Sequence, residues 1–578
     1  MHSVSNPGTI MTAILGGKWF GNLPSNLTFT GTTLVGGTLT IPSGLTLNIS
    51  AGATLQFQSS TELTAFGTLS AIGTAQNSIT FNRIGSTGMW TGINFQYYGN
   101  GTLKYCDISH AQTALILSGS PSMDISNNYI HDNSNGIFLN MSSPTITNNQ
   151  IRNNGGYGIW AQNESSPSIS GNIITGNSYS GIYSDLYSAI GGNCPASNAL
   201  RNNGTGLSLY YNSETYFGYS GCGGSNSICN STGYEVSATS NSYAYVQNNW
   251  WGSYPPNASE FYADGTSYID RSSPLSSDPN PTMQKSSSLS LNTVGLGAAQ
   301  SSAIDWDSFF DAEIMKALQS FLAGNYQDAL DQFDKKFTKE KDFSKKKYSL
   351  AKISQCYSRM NNKGFIDYLN NNILPKLSKD DELYAVALEL EYLSFLREGK
   401  FENAVNNLNN LRDNYSTSEE MYKHSLFNLS FIFGKYLNNI TKAKEYLGEL
   451  EAKYPNDRLV LNGKILILGE DPSNFSYRNQ LQFADTLLTN SVQAELLANY
   501  PNPFNPVTKI SFLIPQKSQI KLKVFDVLGR EVQILADGVY EAGKYEAEFN
   551  AANLSSGVYF YNLTTGTNSI TKKMLLMK

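Results

Sequence analysis

Between Ile125 and Leu209 the chain repeats one arrangement of apolar, amide and glycine positions. An apolar residue is followed by Asn, then by Gly and a second apolar residue. The copies are Ile130, Asn133, Gly136, Ile137; Ile151, Asn154, Gly158, Ile159; Ile174, Asn177, Gly181, Ile182; and Leu200, Asn203, Gly206, Leu207. The Asn positions advance by 21, 23 and 26 residues (154−133, 177−154, 203−177). A drifting step in the low twenties marks a stacked solenoid with insertions at its turns, not a helical-hairpin array.

Each repeat is too short to bury its own apolar face, so every Ile must stack on the Ile of the coils above and below. Burying one such side chain stabilises by roughly 1.5–3 kcal/mol. Asn at a corner tolerates the left-handed region and can hydrogen-bond to its counterparts along the stack. Gly then opens the next strand where a side chain would crowd the corner. The pattern predicts an all-β, right-handed parallel β-helix and assigns the Asn column to the fold rather than to catalysis.

Upstream, from Trp19 to about Phe95, Thr-rich alternating segments are separated by Gly-containing turns and read as strands. The stretches TIPSGLTLNISAGATLQF and GTLSAIGT are similar to the first coils of bacterial extracellular β-helix proteins. Downstream, Gln247-Asn248-Asn249-Trp250-Trp251-Gly252 resembles the closing coil of the pectate-lyase-like β-helix superfamily, with two Trp as apolar lids. The β-helix is therefore expected over 19–270, followed by a Ser/Pro/Asn-rich linker over 271–303.

Over 304–468 the texture changes to helix. Gly324-Asn325-Tyr326 leading to Ala329 and Phe333 matches Gly399-Lys400-Phe401 leading to Ala404 and Leu408, 75 residues on (399−324); Ala443 and Leu447 form a weaker third copy. The spacing resembles a tetratricopeptide-repeat array, in which a small Ala lets paired helices approach closely. That resemblance implies a protein or peptide partner in a concave face. A second linker is expected over 469–494.

The last segment, 495–578, reads YPNPFNPVTKISF, IKLKVFDVLGREV, GVYEAGKYEAEF, SSGVYFYNL and KKMLLMK in order. Alternating strands with Gly turns predict a small β-sandwich of about seven strands. The words resemble the C-terminal sorting domain of type IX secretion cargo of the Bacteroidetes. The residues that carry the resemblance include Gly529 and Arg530, Gly557, and Lys572 and Lys573. It implies export through the type IX machinery, then release or attachment at the outer-membrane surface. The first residues, MHSVSNPGTIMTAILGGKWF, lack the basic and apolar regions of a signal peptide, so a truncated or misplaced start is expected.

Composition narrows the partners. At 578 residues the chain needs several cores, and a net charge of −6 gives nucleic acid no basic surface. No apolar run reaches the roughly 18 residues of a membrane span. Of the five Cys, Cys222 can close a small loop with Cys229, or either can pair with Cys194, whereas Cys106 and Cys356 sit in apolar patterns. No Cys/His spacing suggests zinc, and no metal or cofactor is expected.

Polysaccharide-active β-helix enzymes need clustered carboxylates. In the aligned coils Asp107, Asp124, Asp132 and Asp185 fall in different columns, so no catalytic residue is assigned. The outward column after Gly-Ile reads Asn94, Ile116, Phe138, Trp160, Tyr183, Ser208. Phe138, Trp160 and Tyr183, with His131, Arg152 and Arg201 on a nearby outward column, form a candidate carbohydrate platform, since sugar rings have apolar faces and polar edges. The competing reading is that the aromatics stack on one another, or lie under a cover, and stabilise the sheet. The leading expectation is a non-catalytic exported surface protein that binds or displays toward polysaccharide. The alternatives are a polysaccharide lyase or glycoside hydrolase, and a structural stalk or adhesin.

Overall fold

The computed structural model describes residues 13–281, 309–470 and 495–577, apart from short stretches at 16, 98, 120–122, 192–196, 220–221, 416–417, 497–503, 515–516, 528, 541–542 and 566–567. The chain divides into two compact units, Met1–Ser476 and Tyr477–Lys578. Most of the linker expected over 271–303 and nearly all of the one over 469–494 lie outside the described residues. So do Cys194 and the side chain of Cys222.

Residues 27–270 wind into a right-handed parallel β-helix of about ten turns. Each regular turn lends one short strand to each of three faces. The first face runs through Gly92–Gln96, Thr113–Ser118, Asn135–Asn140, Ile159–Gln162, Ser180–Ser184 and Thr205–Leu209 to Phe261–Ala263. The second includes Asn100–Lys104, Asp124–Ser126, Thr145–Thr147 and Ser168–Ser170. The third runs through Cys106–Ser109, Tyr129–His131, Gln150–Arg152, Ile173–Thr175 and Ala199–Arg201 to Ser227–Cys229.

The aliphatic columns stack as the repeat requires. Ile93, Leu115, Ile137, Ile159, Ile182 and Leu207 are in register and fully buried inside the first face. At the corner, Asn133, Asn154, Asn177 and Asn203 form a ladder in which each Nδ2 donates to the next Oδ1 at 3.2, 2.9 and 3.0 Å. A second ladder, Asn128–Asn149–Asn172–Asn198–Asn226–Asn249, makes the same bonds at 3.0, 3.0, 3.1, 2.9 and 2.9 Å. These amides satisfy corner backbone groups that the sheets cannot reach. The Gly column is set by crowding: a Cβ on Gly158 would lie 2.6 Å from the Gly181 carbonyl, and one on Gly136 would lie 2.3 Å from that of Gly158.

Trp251 is buried against Phe261, with ring centroids 4.8 Å apart, and the chain makes a further rung beyond it, whereas Trp250 is only half-buried. One Trp thus plugs the stack from inside the last rung. Cys106, Cys229 and Cys356 are buried free thiols, so the small loop between Cys222 and Cys229 is not closed.

In the same unit follow helices α1 (Ala312–Leu322), α2 (Tyr326–Lys339), α3 (Phe343–Arg359), α4 (Phe365–Tyr368), α5 (Glu382–Arg397), α6 (Phe401–Asn414), α7 (Glu419–Phe431), α8 (Ile440–Lys453) and α9 (Arg458–Gly463). Asp311, Asp342, Asp381 and Asp457 cap helix N-termini by accepting from backbone N–H groups. Helices α2, α6 and α8 bury one stripe each, containing Ala329, Ala404 and Ala443, the three repeat-matched alanines. Helices α5 and α7 are buried on nearly every side. A helix without a solvent face needs a second surface to pack on. The β-helix supplies it.

The C-terminal unit contains a three-stranded and a four-stranded antiparallel sheet around one apolar cluster that includes Ile510, Phe512, Leu522, Val524, Phe549, Tyr561 and Met574. Gly529 takes φ +74° in the turn Asp526–Arg530, where Arg530 Nε pairs with Asp526 Oδ2 at 2.8 Å. Gly557 opens the strand Gly557–Thr565. Lys572 and Lys573 are exposed on the edge strand Asn568–Leu576, where charge discourages further strand pairing.

Candidate functional site

The register places Asn94, Ile116, Phe138, Trp160, Tyr183 and Ser208 in one outward column of the first face. That column is not open. Phe138, Trp160 and Tyr183 are each 0 % exposed. Their rings pack in series, 4.8 Å between the centroids of Phe138 and Trp160 and 6.0 Å between those of Trp160 and Tyr183. Phe431 of α7 lies 5.8 Å from Phe138, and the Arg458 guanidinium of α9 sits 5.0 Å over Tyr183. The expectation of an exposed aromatic row is therefore corrected: the helices cover it, because α5 and α7 have apolar surface to bury on that side.

The cover is fastened by polar groups. Lys352 of α3, fully buried, donates to Glu214 at 2.6 Å and to the Tyr216 hydroxyl at 2.7 Å. Glu164 accepts from Ser354 at 2.6 Å and from Arg397. Tyr187 donates to Glu389 of α5 at 2.7 Å, and Tyr392 to Asn163 at 3.0 Å. His424 of α7 faces Asp185 through Nε2 at 3.3 Å and the Glu420 carbonyl through Nδ1 at 2.9 Å, and stacks on Tyr211 at 4.1 Å. Both ring nitrogens meet acceptors, so the imidazolium is the form that fits. Burial opposes that charge, but Asp185 and the nearby Glu420 and Glu389 outweigh it and raise the imidazole to about 9. Burial lowers Lys352 and raises Glu389.

Arg201 also lies inside. Its Nη2 bonds Asp278 Oδ2 at 2.7 Å and the Asn280 carbonyl at 3.0 Å, so the segment after Asp270 folds back over it. His131 and Arg152, by contrast, remain half-buried on the third face beside Tyr129. The His131 ring stacks on Tyr129 at 3.9 Å and 22°, and the Arg152 guanidinium lies 5.9 Å from the Tyr129 centroid. His131 meets Asp107 Oδ1 through Nε2 at 3.1 Å and Asp132 Oδ2 through Nδ1 at 2.7 Å. Burial opposes its charge, and the two carboxylates override it to raise the imidazole above its ordinary value. Asp107 and Asp132 belong to different columns, but the left-handed corner at Asp132 (φ +54°) brings both onto one ring. Column reading alone missed this.

A shallow depression of about 500 Å³ on the second face is lined by Thr102, Lys104, Asp124, Ser126, Thr145 and Thr147, with Lys104 paired to Asp124 at 2.7 Å. Glu235 is buried, which raises it to about 7, and its carboxylate accepts from Ser231 N and Oγ at 2.9 and 2.6 Å, closing a corner loop. Among the described residues no group of His, Cys, Asp and Glu is placed to hold a metal ion, and no helix is long and apolar enough to cross a membrane.

Comparison with known families agrees with both ends of the chain. Residues 25–166 and 67–251 match the right handed beta helix region family, and residues 498–577 match the secretion system C-terminal sorting domain. No curated protein matches the sequence.

Proposed function

We infer that this exported right-handed β-helix protein, addressed by its type IX sorting domain to secretion or the cell surface, is a non-catalytic protein that contacts polysaccharide along the open third face. The observation that carries the reading is the strip Tyr129–His131–Arg152: a half-buried ring flanked by hydrogen-bonding groups on successive rungs. An apolar ring face beside polar donors matches the two chemistries of a sugar. The six residues singled out in the sequence separate accordingly. Phe138, Trp160 and Tyr183 serve the fold, Arg201 ties down the segment at Asp278 and Asn280 through Nη2 alone, and His131 and Arg152 stay with the glycan reading.

The helical region acts as a tetratricopeptide-like brace whose inner face is occupied by the chain's own β-helix. A protein partner would meet the outer helices α2, α6 and α8. A pectate-lyase-like reading would enlist Asp107 and Asp132, both of which are directed at the one imidazole of His131. The test is retention of the full chain on a panel of immobilised polysaccharides. Tyr129→Ala should weaken the retained polymers roughly tenfold, equivalent to ~1.4 kcal/mol. Undiminished retention by that variant across the panel would remove the strip from the function.

A further inference from the structure

The outward column of the third face reads Ser109, His131, Arg152, Thr175, Arg201, Cys229 in strict register. Arg152 and Arg201 thus stand two rungs apart, on the order of 9–10 Å at the usual strand spacing, with Thr175 between them. Their donors are not all used. Arg201 is only 4 % exposed, and its Nε and Nη1 are buried with no hydrogen-bond partner among the described residues. The Arg152 Nε is buried and equally unmatched. Arg152 spends Nη1 on Gln150 Oε1 at 3.3 Å and leans toward Tyr129. Arg201 leans the other way, to Asp278 and Asn280.

Three guanidinium nitrogens left over on one column are costly, because a buried donor without an acceptor loses its hydration and gains nothing in return. An oxyanion meets that need better than any neutral group, since Arg presents parallel N–H bonds that suit two oxygens at once. The carboxylates facing the column do not supply it. Asp107 and Asp132 are engaged by His131, and Asp278 takes only Nη2 of Arg201.

We propose that the gap over Thr175, between Arg152 and Arg201, is an oxyanion-binding site that takes a sulfate-like group, either free or as a substituent of a polysaccharide. The site rests on the glycan reading only for the second of those sources. On a sulfated polymer, one sugar would meet the Tyr129–His131 strip while its oxyanion reached Arg152.

The experiment compares the full chain in gels containing dextran or dextran sulfate, which share a backbone and differ in the oxyanion. It adds a thermal-melting titration with inorganic sulfate. The net charge of −6 works against indiscriminate retention by a polyanion. At least tenfold tighter retention on dextran sulfate is expected, abolished by Arg152→Gln and only partly restored by Arg152→Lys, which keeps the charge but not the fork. Lys104→Gln, on the neighbouring face, should change nothing.

A sulfate-dependent rise in melting temperature that disappears in Arg152→Gln, without preference for the sulfated polymer, supports the site with free anion as its ligand. Preference surviving in Arg152→Gln, or lost equally in Lys104→Gln, overturns it. Equal retention on both polymers, lost in Tyr129→Ala, overturns the oxyanion site and leaves the glycan strip standing. No retention and no response to sulfate overturns both. Circular dichroism of each variant separates a lost site from a lost fold, and Arg152→Lys carries the test should Arg152→Gln fail to fold.

Discussion

The first and third faces of the β-helix are made of the same rungs, in the same register, with equally regular outward columns. On the first face, Phe138, Trp160 and Tyr183 lie beneath helices; on the third, Tyr129, His131 and Arg152 meet solvent. Register fixes which side chains line up and which way they point. It does not fix what comes to lie on them. An aromatic row is equally good at holding a sugar or a helix, and the deciding feature sits some 250 residues downstream (431−183) in helices that lack a solvent face.

If that contrast is right, substitutions on the two faces separate sharply in stability. The largest effect is expected for Trp160→Ala, which opens a cavity under the helices and should cost about 3–5 kcal/mol in chemical denaturation. A loss below 1 kcal/mol would mean the cover is loose. Lys352→Met leaves Glu214 buried without its cation and should cost roughly 3 kcal/mol, while Lys352→Met paired with Glu214→Leu should recover most of it.

A corner substitution gives the midpoint of the scale. Asn177→Ala breaks the first ladder beneath both faces and should cost about 1–3 kcal/mol, with loss of amide-exchange protection at Asn154, whose backbone N–H donates to Asn177 Oδ1. Titration of the cover should be milder. Because His424 is raised from 6.5 to about 9 in the fold, its contribution is fully present below pH 6.5 and lost as pH climbs through about 9. The melting temperature should fall across that window, and His424→Gln should flatten the fall. At the small end, Tyr129→Ala on the open face should leave stability within about 0.5 kcal/mol while altering glycan retention.

Much of this architecture was legible in the residues. The Ile, Asn and Gly positions that repeat from Ile130 to Leu207 are the residues that stack, ladder and turn. The second ladder was legible too, since its members stand five residues before those of the first (133−128, 154−149, 177−172, 203−198). Burial of Phe138, Trp160 and Tyr183 was less accessible, because it depends on a long-range partner rather than on local period. Its one local trace is the composition of α5 and α7, which carry Leu, Ala, Phe and Ser around nearly their whole circumference. The carboxylates on His131 escaped because the backbone turns at Asp132, and a corner shuffles neighbours that a straight strand would keep apart.

The docked helices touch the β-helix from Tyr97, whose hydroxyl donates to the Leu396 carbonyl at 2.9 Å, to Tyr243, whose ring meets that of Tyr348 in α3 edge-on at 5.4 Å. A bare stack of coils holds together only through adjacent layers and can peel from an end, one layer at a time. Here a single splint grips many layers at once. A pull along the axis would have to tear the splint free before any layer between Tyr97 and Tyr243 could unwind, which gives that part of the β-helix resistance to fraying.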